Sequence, residues 1–536
     1  MKTQITNYAT DKSNLTGQKK IAVWSSLALA ALMLVSTAGS AGAQVLSPTN
    51  LQPMTYSRTT CWVTPTGGNG CMSPQYRSGA SGSTWTTYNA NLGGDPIGDK
   101  NVLNPTTVNS NDMVLLPYSP IYSPGALAGY QGGCQPSGGL LPTASVSVES
   151  RILFPAQDGN GNCALFTYDV TYPSDAQFVA DLGTTNPHVT SSPGYNGDVV
   201  IAAEDGNVYS YYWASNSLHW TFTNPYGAAF DASPATWPGL RYVYLADVDG
   251  DIFYLNPGDG HAAFTISSPI APGDQDPVSA SSLAVSTASN TVFIAGYGSP
   301  GDGVCAYDAG NAANKWCQQF TGYPTAQSSF INSSPVVSDS LGLVYVTDQA
   351  QSTYAGTANL YALDANNNGA VKWNVSLVPT NGGGALPYGG SPAYDNSANS
   401  GRSQYVITVT PVGACVGFPH CTFVKDSLIQ VFNGANGSLV CSNSTGHIVS
   451  QSSPEVVDGV IYIGTDDGYV LAYDETQCSN GNLPNIWTSS PQMINPNTNQ
   501  PDPLLGPPVV SYNRIHAVTE SGSLYVWHRC DTSGCW

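Results

Sequence analysis

The chain has 536 residues, only 9% of them charged, and a formal net charge of −20. A polyanion would be repelled by this field, so the charge argues against nucleic acid as a partner. The 56 Gly, 38 Pro and 31 Tyr are typical of a β-rich protein with many turns and argue against a helical one.

The first 43 residues have the pattern of a secretory signal peptide. Lys19 and Lys20 precede an apolar stretch that runs from Ile21 to about Val35, and small residues follow up to Ala43. An uncleaved anchor helix is the alternative, but the stretch is shorter than the roughly 20 residues that a membrane span needs. Removal of residues 1–43 leaves 11 Lys and Arg against 34 Asp and Glu. We therefore predict a secreted or periplasmic protein with no stable transmembrane segment after signal removal.

Residues 44–143 form an extension rich in Gly, Ser, Thr, Pro and Tyr. Clusters of turn residues at 64–70 and 78–83 predict loops. The extension could wrap around the remainder of the chain or reach a partner subunit, and the sequence leaves both possibilities open.

All twelve cysteines follow the predicted signal peptide, and an even number in an exported chain indicates disulfides. Zinc or attached haem is disfavoured because no CxxC occurs. Closeness in sequence suggests the pairs Cys61–Cys71, Cys305–Cys317, Cys415–Cys421 and Cys530–Cys535. The pairs Cys134–Cys163 and Cys441–Cys478 are weaker, because sequence alone does not fix connectivity. Residues 529–536 would form a tail closed by a disulfide.

One short strand pattern recurs eight times between residues 144 and 528. An apolar residue is followed three positions later by an aromatic residue or Leu, often with Asp or Asn next. The eight copies are Leu165–Asp169, Val208–Tyr212, Ile252–Asn256, Val304–Asp308, Leu360–Asp364, Ile429–Asn433, Val470–Asp474 and Leu524–His528. Their spacing of about 40 to 70 residues suits one four-stranded sheet and a variable loop per copy.

The repeat containing residues 452–487 shows how the strands are arranged. A Ser-Ser-Pro segment leads into the first strand, and Asp458-Gly459 and Asp467-Gly468 are hairpin signals between alternating apolar runs. The last repeat lacks a fourth strand, which Met113–Leu116 could supply. A linear stack would leave two exposed edges, so we favour closure. The predicted fold is all-β, a single closed β-propeller of eight four-stranded blades, with seven as the alternative, and an irregular N-terminal extension.

The repeats over residues 144–528 resemble those of the pyrroloquinoline quinone (PQQ) dehydrogenase-like β-propeller superfamily. The hallmark of that superfamily is A-x-D-x-x-T-G-x-x-x-W, whose Trp packs between blades. Ala306–Trp316 keeps this register, Ala362–Trp373 keeps it with one insertion, and Val431–Cys441 has Cys at the Trp position. Trp220 and Trp487 are looser equivalents. The superfamily includes quinoprotein dehydrogenases and an outer-membrane assembly lipoprotein.

The resemblance implies a quinoprotein enzyme as one candidate, but the residues for that chemistry are not evident. Such enzymes use adjacent cysteines over the quinone, a Ca²⁺ ion held by Glu and Asn, and an Asp base. No two cysteines are adjacent here, and the chain has five Glu, of which Glu204 and Glu520 fall in predicted turns. Motifs for a hydrolase nucleophile, a zinc protease and a phosphate loop are also missing from the sequence. We therefore predict no cofactor and no catalytic residue, with PQQ or Ca²⁺ as the alternative.

Asp247, Asp249 and Asp251 resemble a fragment of a calcium loop, because clustered carboxylates suit a hard cation. They also stand where other repeats have an Asp-Gly turn, and they lack the bidentate Glu of an EF-hand. We favour a turn over a metal site.

The long insertions all belong to second-to-third and blade-to-blade connections, which emerge on one face of a propeller. Long loops on a rigid scaffold often carry recognition. The aromatic and His side chains of these loops are the predicted ligand-binding residues: Tyr297, Tyr323, Tyr354, Tyr388, Phe418 and His420. They suit a protein loop or a polysaccharide, although surface decoration is equally consistent with the pattern.

Three functional hypotheses follow. The first is an exported, non-catalytic recognition or scaffold module that binds a protein or glycan through its long-loop face. The second is a PQQ- or metal-dependent periplasmic oxidoreductase. The third is a component of envelope assembly or adhesion.

Overall fold

The computed structural model is built from β-strands, and its helical content among the described residues is one 3₁₀ turn at Glu475–Gln477. The structure describes residues 62–63, 69–70, 103–108, 113–115, 119–120, 134, 146–148, 151–157, 160, 162–169, 177–182, 189, 191, 193–212, 217–236, 240–271, 281–298, 302–320, 329–330, 333–350, 358–377, 384–385, 390–395, 404–413, 426–478, 481–504, 506–511, 514–531 and 534–535. The predicted signal peptide and most of the N-terminal extension lie outside these residues.

The described strands form eight blades, taken here in chain order. Before the blades come β1 (Trp62–Val63), β2 (Asn69–Gly70) and β3 (Met113–Leu115). Blade 1 holds β4 (Val146–Val148), β5 (Arg151–Gln157), β6 (Cys163–Asp169) and β7 (Gln177–Asp181). Blade 2 holds β8 (Gly194–Tyr195), β9 (Asp198–Ala202), β10 (Asn207–Tyr212) and β11 (Ser217–Thr223). Blade 3 holds β12 (Val243–Ala246), β13 (Asp251–Leu255) and β14 (Ala262–Ser267), with an Ala235–Tyr244 bridge at its inner edge.

Blades 4 to 6 each carry one additional short strand. Blade 4 holds β15 (Ile270–Ala271), β16 (Ala284–Ser286), β17 (Thr291–Gly298), β18 (Gly303–Asp308) and β19 (Asn314–Gln319). Blade 5 holds β20 (Ser329–Phe330), β21 (Val336–Ser338), β22 (Leu343–Ala350), β23 (Asn359–Asp364) and β24 (Val371–Ser376). Blade 6 holds β25 (Gly384–Ala385), β26 (Ala393–Asp395), β27 (Tyr405–Gly413), β28 (Asp426–Asn433) and β29 (Leu439–Ser444).

Blades 7 and 8 complete the set. Blade 7 holds β30 (Glu455–Val457), β31 (Val460–Gly464), β32 (Val470–Asp474) and β34 (Asn485–Thr488), while β33 (Gly481–Asn482) pairs with β29 of blade 6. Blade 8 holds β35 (Val509–Ser511), β36 (Arg514–Val518), β37 (Leu524–Asp531) and the short β38 (Gly534–Cys535). Strand β3 is the fourth strand of blade 8 and pairs antiparallel with β37, as predicted from the sequence.

The eight recurring sequence patterns form the third strands of the eight blades. The hairpin between β30 and β31 is turned by Asp458 and Gly459, which have φ of 50° and 82°. Two consecutive positive φ values match the right-handed twist of the strands, which explains the Asp-Gly signal.

Alternate residues of each blade pack against the two neighbouring blades, and we call each such interface a seam. In blade 7, for example, Ile463 faces blade 6 and Tyr462 faces blade 8. Phe154 and Phe166 of blade 1 share a buried cluster with Val526 of blade 8. The first and last blades are therefore in contact, as closure requires, and the all-β propeller fold is confirmed.

A buried Ser that precedes the first strand of several blades, as in the Ser-Ser-Pro segment of residues 452–454, has a clear structural role. The backbone N–H groups of Ser233, Ser282, Ser334 and Ser391 each donate a hydrogen bond to the Oγ of the equivalent Ser in the next blade, at 2.7–3.0 Å. All these serines are buried, so each bond satisfies a backbone donor that would otherwise be costly. The chain of bonds ends at Ser453 of blade 7 and connects five consecutive blades.

The Trp positions fix the outer part of several seams. Trp220, Trp316 and Trp373 donate Nε1–H to carbonyl oxygens of the next blade at 2.9–3.1 Å. From its sequence pattern, Trp220 is a looser match to the hallmark Trp of the repeat. It nevertheless contacts the next blade as Trp316 and Trp373 do, because residues 257–260 of blade 3 form the turn that receives the indole.

Three of the predicted disulfides lie within the described residues and are confirmed: Cys134–Cys163, Cys305–Cys317 and Cys441–Cys478. Cys530 and Cys535 are opposite each other in the register of β37 and β38, but their side chains lie outside the described residues. The predicted pairs Cys61–Cys71 and Cys415–Cys421 lie outside them as well.

Candidate functional site

The long connections emerge on one face, which we call the long-loop face. Each blade is antiparallel, so its second-to-third connection and its connection to the next blade lie at the same end of the sheet. The opposite end, the short-loop face, carries tight turns such as Asp458-Gly459 and Asn256–Gly260.

Blades 4, 5 and 6 extend further at the long-loop face than a four-stranded sheet requires. Strands β17, β22 and β27 have eight, eight and nine residues, against three residues in each inner strand. Their ends pair with the short strands β15, β20 and β25, which belong to the incoming blade-to-blade connections. Three adjacent blades thus present three ribbons on one face.

The predicted ligand-binding residues belong to these three blades, but the structure locates the backbone of just one. Tyr297 lies in β17, where it is paired in register with Ala271 of β15. Tyr323, Tyr354, Tyr388, Phe418 and His420 lie outside the described residues. Their role as a binding set stays a prediction.

The two faces differ in charge. Among the described residues, every Lys and Arg stands at the short-loop end of a strand: Arg151, Arg241, Lys315, Lys372, Arg514 and Arg529. The described carboxylates of the long-loop face are Glu204, Asp205, Asp231, Asp247, Asp249, Asp251, Asp302, Asp348, Asp426, Asp466, Asp467, Asp502 and Glu520, of which Asp247, Asp302, Asp348 and Asp502 are buried. Carboxylates such as Asp198, Asp259 and Asp308 also stand at the short-loop face, so the two faces differ in their Lys and Arg residues. In the described part of the chain, the long-loop face carries carboxylates without Lys or Arg.

Burial and neighbouring charges shift the pKa of carboxyl groups on both faces. Burial and the nearby Glu204 carboxylate raise the pKa of Asp231 to about 6. Burial and the carboxylates of Asp502 and Asp466 raise the pKa of Glu520. On the short-loop face, by contrast, the Lys372 ammonium lies 2.9 Å from Asp364 and lowers the pKa of that carboxyl.

His447 is a further titratable group at the long-loop face. Its Nδ1 lies 2.8 Å from Oδ2 of Asp467, and this hydrogen bond raises the pKa of the imidazole. A protonated His447 would offset one carboxylate of this surface.

The Asp247 loop has the contacts of a turn. Oδ1 of Asp247 accepts the N–H groups of Asp249 and Asp251 at 3.1 and 2.8 Å, and Oδ2 accepts from Nδ2 of Asn224 at 2.8 Å. Both carboxylate oxygens are thus engaged by the protein itself, and the side chain is fully buried. These contacts account for the residues as a turn, without a cation.

The fit of a quinone cofactor can be judged from the glutamates. Glu204 and Glu520 lie in turns of the long-loop face, Glu475 lies in the 3₁₀ turn, and Glu149 lies outside the described residues. Glu455 is buried in the seam between blades 7 and 8. Among the described residues, no three His, Cys, Asp or Glu side chains are grouped as a metal site requires. The positions of the described glutamates therefore give no support to a site for PQQ and Ca²⁺.

Sequence reasoning missed a set of buried polar side chains in the seam between blades 5 and 6. On the blade 5 side, Thr347 faces blade 6. On the blade 6 side, the side chains that face blade 5 are Thr408, Thr410 and Gln430. The signal was present in the repeat, because Gln430 is the single amide at the second position of the eight strand patterns.

A search for membrane-spanning helices finds none of sufficient length and hydropathy among the described residues.

The repeats of this chain are similar to those of known proteins. Residues 176–375 match a family model described as outer membrane protein assembly factor BamB. The structure of a europium-containing methanol dehydrogenase is 11% identical, with 84% of this chain and 98% of that chain covered and a TM-score of 0.55. The quinohemoprotein alcohol dehydrogenase of Comamonas testosteroni is 11% identical, with 84% of this chain and 81% of that chain covered and a TM-score of 0.53. BamB of Moraxella catarrhalis is 16% identical, with 72% of this chain and 96% of that chain covered and a TM-score of 0.49.

No curated protein sequence matches this chain. The two dehydrogenases establish the likeness in fold, and the family model establishes the likeness of the repeats. The resemblance inferred from the strand patterns and Trp positions is confirmed: the repeats are similar to those of the PQQ-like β-propeller superfamily.

Proposed function

We propose that this protein is an exported, non-catalytic recognition or scaffold module that binds a protein partner of the cell envelope through its long-loop face. The observation that carries the proposal is the set of three ribbons on blades 4, 5 and 6. Strands lengthened together on adjacent blades, all at one end, provide a rigid support for loops, and such loops are where binding residues concentrate. The match of residues 176–375 to an assembly-factor model supports the same class of role.

The charge of the long-loop face defines the partner further. A surface of carboxylates without described Lys or Arg would attract a partner that presents Lys or Arg and would speed its association at low salt. Association with this face should therefore weaken as ionic strength rises.

Photo-crosslinking from the two faces tests the proposal. A photoreactive residue replaces exposed Ser376 or Ser444 on the long-loop face of blades 5 and 6, and exposed Asp259 or Lys372 on the short-loop face. We expect one envelope protein to crosslink from the first pair of positions and not from the second. Equal labelling from both faces, or no adduct from either, would contradict the proposal.

Shortening one ribbon tests its contribution. Residues 349–358 would be replaced by Asn-Gly, which joins Asp348 to Asn359, a pair already in register, through a two-residue hairpin. We expect the affinity for the crosslinked partner to fall by roughly 10-fold or more, as for the loss of a cluster of interface contacts. The melting temperature serves as the control for folding.

Two alternatives remain as candidates. The likeness to dehydrogenase folds favours assays of dye-linked alcohol and sugar oxidation with added PQQ and Ca²⁺; turnover with a stoichiometric chromophore would replace the proposal. A polysaccharide at the long-loop face, as in an adhesion component, is tested by a glycan array in which ribbon-shortened protein is the control.

A further inference from the structure

The eight seams can be compared position by position, because each blade repeats the same register. The second residue of the strand pattern and its partner on the second strand face the preceding blade. Outside blade 6 these pairs are Phe166 with Phe154, Tyr209 with Ile201, Phe253 with Leu245, Cys305 with Ile294, Tyr361 with Val346, Leu471 with Ile463 and Tyr525 with Ala517. In blade 6 the pair is Gln430 with Thr408. A position that is otherwise aliphatic, aromatic or cysteine is polar on both strands in this one blade.

The facing position of blade 5 differs in the same way. Thr347 is paired with the first residue of the pattern, Leu360. Its equivalents in the other blades are Pro155, Ala202, Ala246, Ala295, Val409, Gly464 and Val518. Polar residues therefore replace apolar ones on both sides of the seam between blades 5 and 6.

These side chains point into one seam. Tyr345 and Leu360 of blade 5 pack against Val406 and Phe432 of blade 6. Thr347 lies two residues beyond Tyr345, while Thr408 and Gln430 lie two residues from Val406 and Phe432. Residues two apart on a strand share a face. Thr410 continues the same face of β27.

Four polar atoms of this set, one from each side chain, have no partner in the protein. Thr347, Thr408, Thr410 and Gln430 are 2%, 1%, 2% and 7% exposed. The three Oγ1 atoms and Oε1 of Gln430 are sealed from the surface and make no hydrogen bond. Nearby groups are satisfied, since Oγ of Ser333 bonds to both N–H and C=O of Thr347. Buried polar atoms normally have partners, so four in one seam point to a ligand.

The chemistry of the set defines the ligand. Each Thr hydroxyl can donate or accept, whereas Oε1 of Gln430 can accept only. The four side chains of the set are uncharged, so a charged ligand would find no counter-ion among them. A hydroxyl group, which donates and accepts at once, satisfies such a set, while a peptide segment would also need partners for successive N–H and C=O groups.

We infer that the seam between blades 5 and 6 binds a neutral, hydroxyl-bearing ligand of the sugar or polyol class through Thr347, Thr408, Thr410 and Gln430. This site lies inside the propeller wall and goes beyond the proposed binding of a protein at the long-loop face.

The test compares the full protein with the double variant Thr408→Val, Gln430→Leu. The matched control is Thr167→Val, because Thr167 is a buried Thr with an unpartnered Oγ1 in blade 1, outside the seam between blades 5 and 6. The probes are glucose, galactose, mannose and glycerol at millimolar concentrations, and the readouts are melting temperature and titration calorimetry.

We expect at least one probe to raise the melting temperature of the wild-type and Thr167→Val proteins. In the double variant its affinity should fall by roughly 10-fold or more, because hydrogen bonds to the ligand are lost. The free double variant should melt at a higher temperature than the wild type, because the polar groups are not satisfied without ligand.

Three results would overturn the inference. A probe that stabilises the double variant as much as the wild type binds elsewhere. A lower melting temperature of the free double variant would show that ordered water satisfies these groups as part of the fold. If no probe binds the wild type, the ligand class is wrong. Crosslinking to the envelope partner should be unchanged in the double variant, so failure here is distinct from failure of the proposed function.

Discussion

Glu455 occupies a position that holds a small or apolar residue in the other blades. It is the first residue of β30 and is paired with Tyr462. Its equivalents are Val146, Gly194, Ala235, Ala284, Val336, Ala393 and Val509. Oε1 of Glu455 and the hydroxyl of Tyr462 are both buried without a hydrogen-bond partner. Burial raises the pKa of Glu455 well above its ordinary value, so the carboxyl favours the neutral form.

Glu455→Gln should therefore stabilise the protein at neutral and alkaline pH. With a raised pKa in the folded state, the wild type is most stable relative to the variant below the unfolded pKa of about 4.3 and loses stability as pH rises towards the folded pKa. Each unit of pKa difference corresponds to about 1.4 kcal/mol. Urea unfolding of both proteins between acidic and alkaline pH measures this, and parallel pH profiles would show that Glu455 is not titrating in the fold.

A Trp on the outer strand of one blade contacts a turn of the next blade and so links the two blades. Trp373 of β24 lies on Gly437, which follows β28 of the next blade and has φ of 72°. A Cβ at Gly437 would lie 2.6 Å from Cε3 of the indole. Glycine is required here for two reasons, the positive φ and the contact with the ring.

Gly437→Ala separates these two reasons when it is compared with Gly446→Ala. Gly446 has the same φ of 72°, but a Cβ at this position would meet no atom within 4 Å. We expect a loss of about 1 kcal/mol for Gly446→Ala from backbone strain and about 2–4 kcal/mol for Gly437→Ala, which adds overpacking. Equal losses of unfolding free energy in urea would show that the Trp373 indole moves aside without a further loss of stability.

A disulfide replaces the Trp dock between blades 6 and 7. Cys441 stands at the Trp position of β29, and Cys478 follows the 3₁₀ turn of blade 7, with a Cα–Cα distance of 5.5 Å. Asn443 also donates to the carbonyl of Leu483 at 2.9 Å, so the two blades are joined around the bond. Cys305–Cys317, by contrast, joins adjacent strands of blade 4.

Removal of Cys441–Cys478 should cost more stability than removal of Cys305–Cys317. The sequence separations are 37 and 12 residues, and chain entropy predicts losses of about 4 and about 3 kcal/mol. Double Cys→Ser variants measured by urea unfolding test the order. Limited proteolysis should cut near the seam between blades 6 and 7 in the first variant alone, and identical cleavage patterns would contradict the inter-blade role.

At the scale of the whole molecule, the sequence predicted the features that depend on residues close together in the chain. The third strands and the Asp-Gly turn at Asp458 follow from alternation and backbone preference within a few residues. The polarity of Gln430 and the burial of Glu455 could not be interpreted before assembly, because the seam that a strand face enters depends on the neighbouring blade. The ligand-binding prediction for Tyr354 and His420 stays untested, because both residues lie outside the described part of the chain.

The pairing of β3 with β37 is the long-range feature that the sequence did predict, and it joins residues more than 400 positions apart. The N–H of Val526 donates to Oγ of Ser119 at 2.9 Å, and Met113 is buried in the seam between blades 7 and 8. Val114, the next residue of the same strand, is 43% exposed. The Met113 side chain therefore packs in the core, whereas Val114 takes part in β3 through the pairing of its backbone.

Met113→Ala and Val114→Ala form a matched pair that measures the contribution of β3 to the stability of blade 8. We expect a loss of about 2–5 kcal/mol for Met113→Ala, because a buried side chain leaves a cavity, and a change within about 0.5 kcal/mol for Val114→Ala. Hydrogen exchange should also rise in β37 of the Met113 variant, since weakened pairing exposes its edge to water. If both variants unfold like the wild type and β37 stays protected, β3 is not what holds the last blade in the ring.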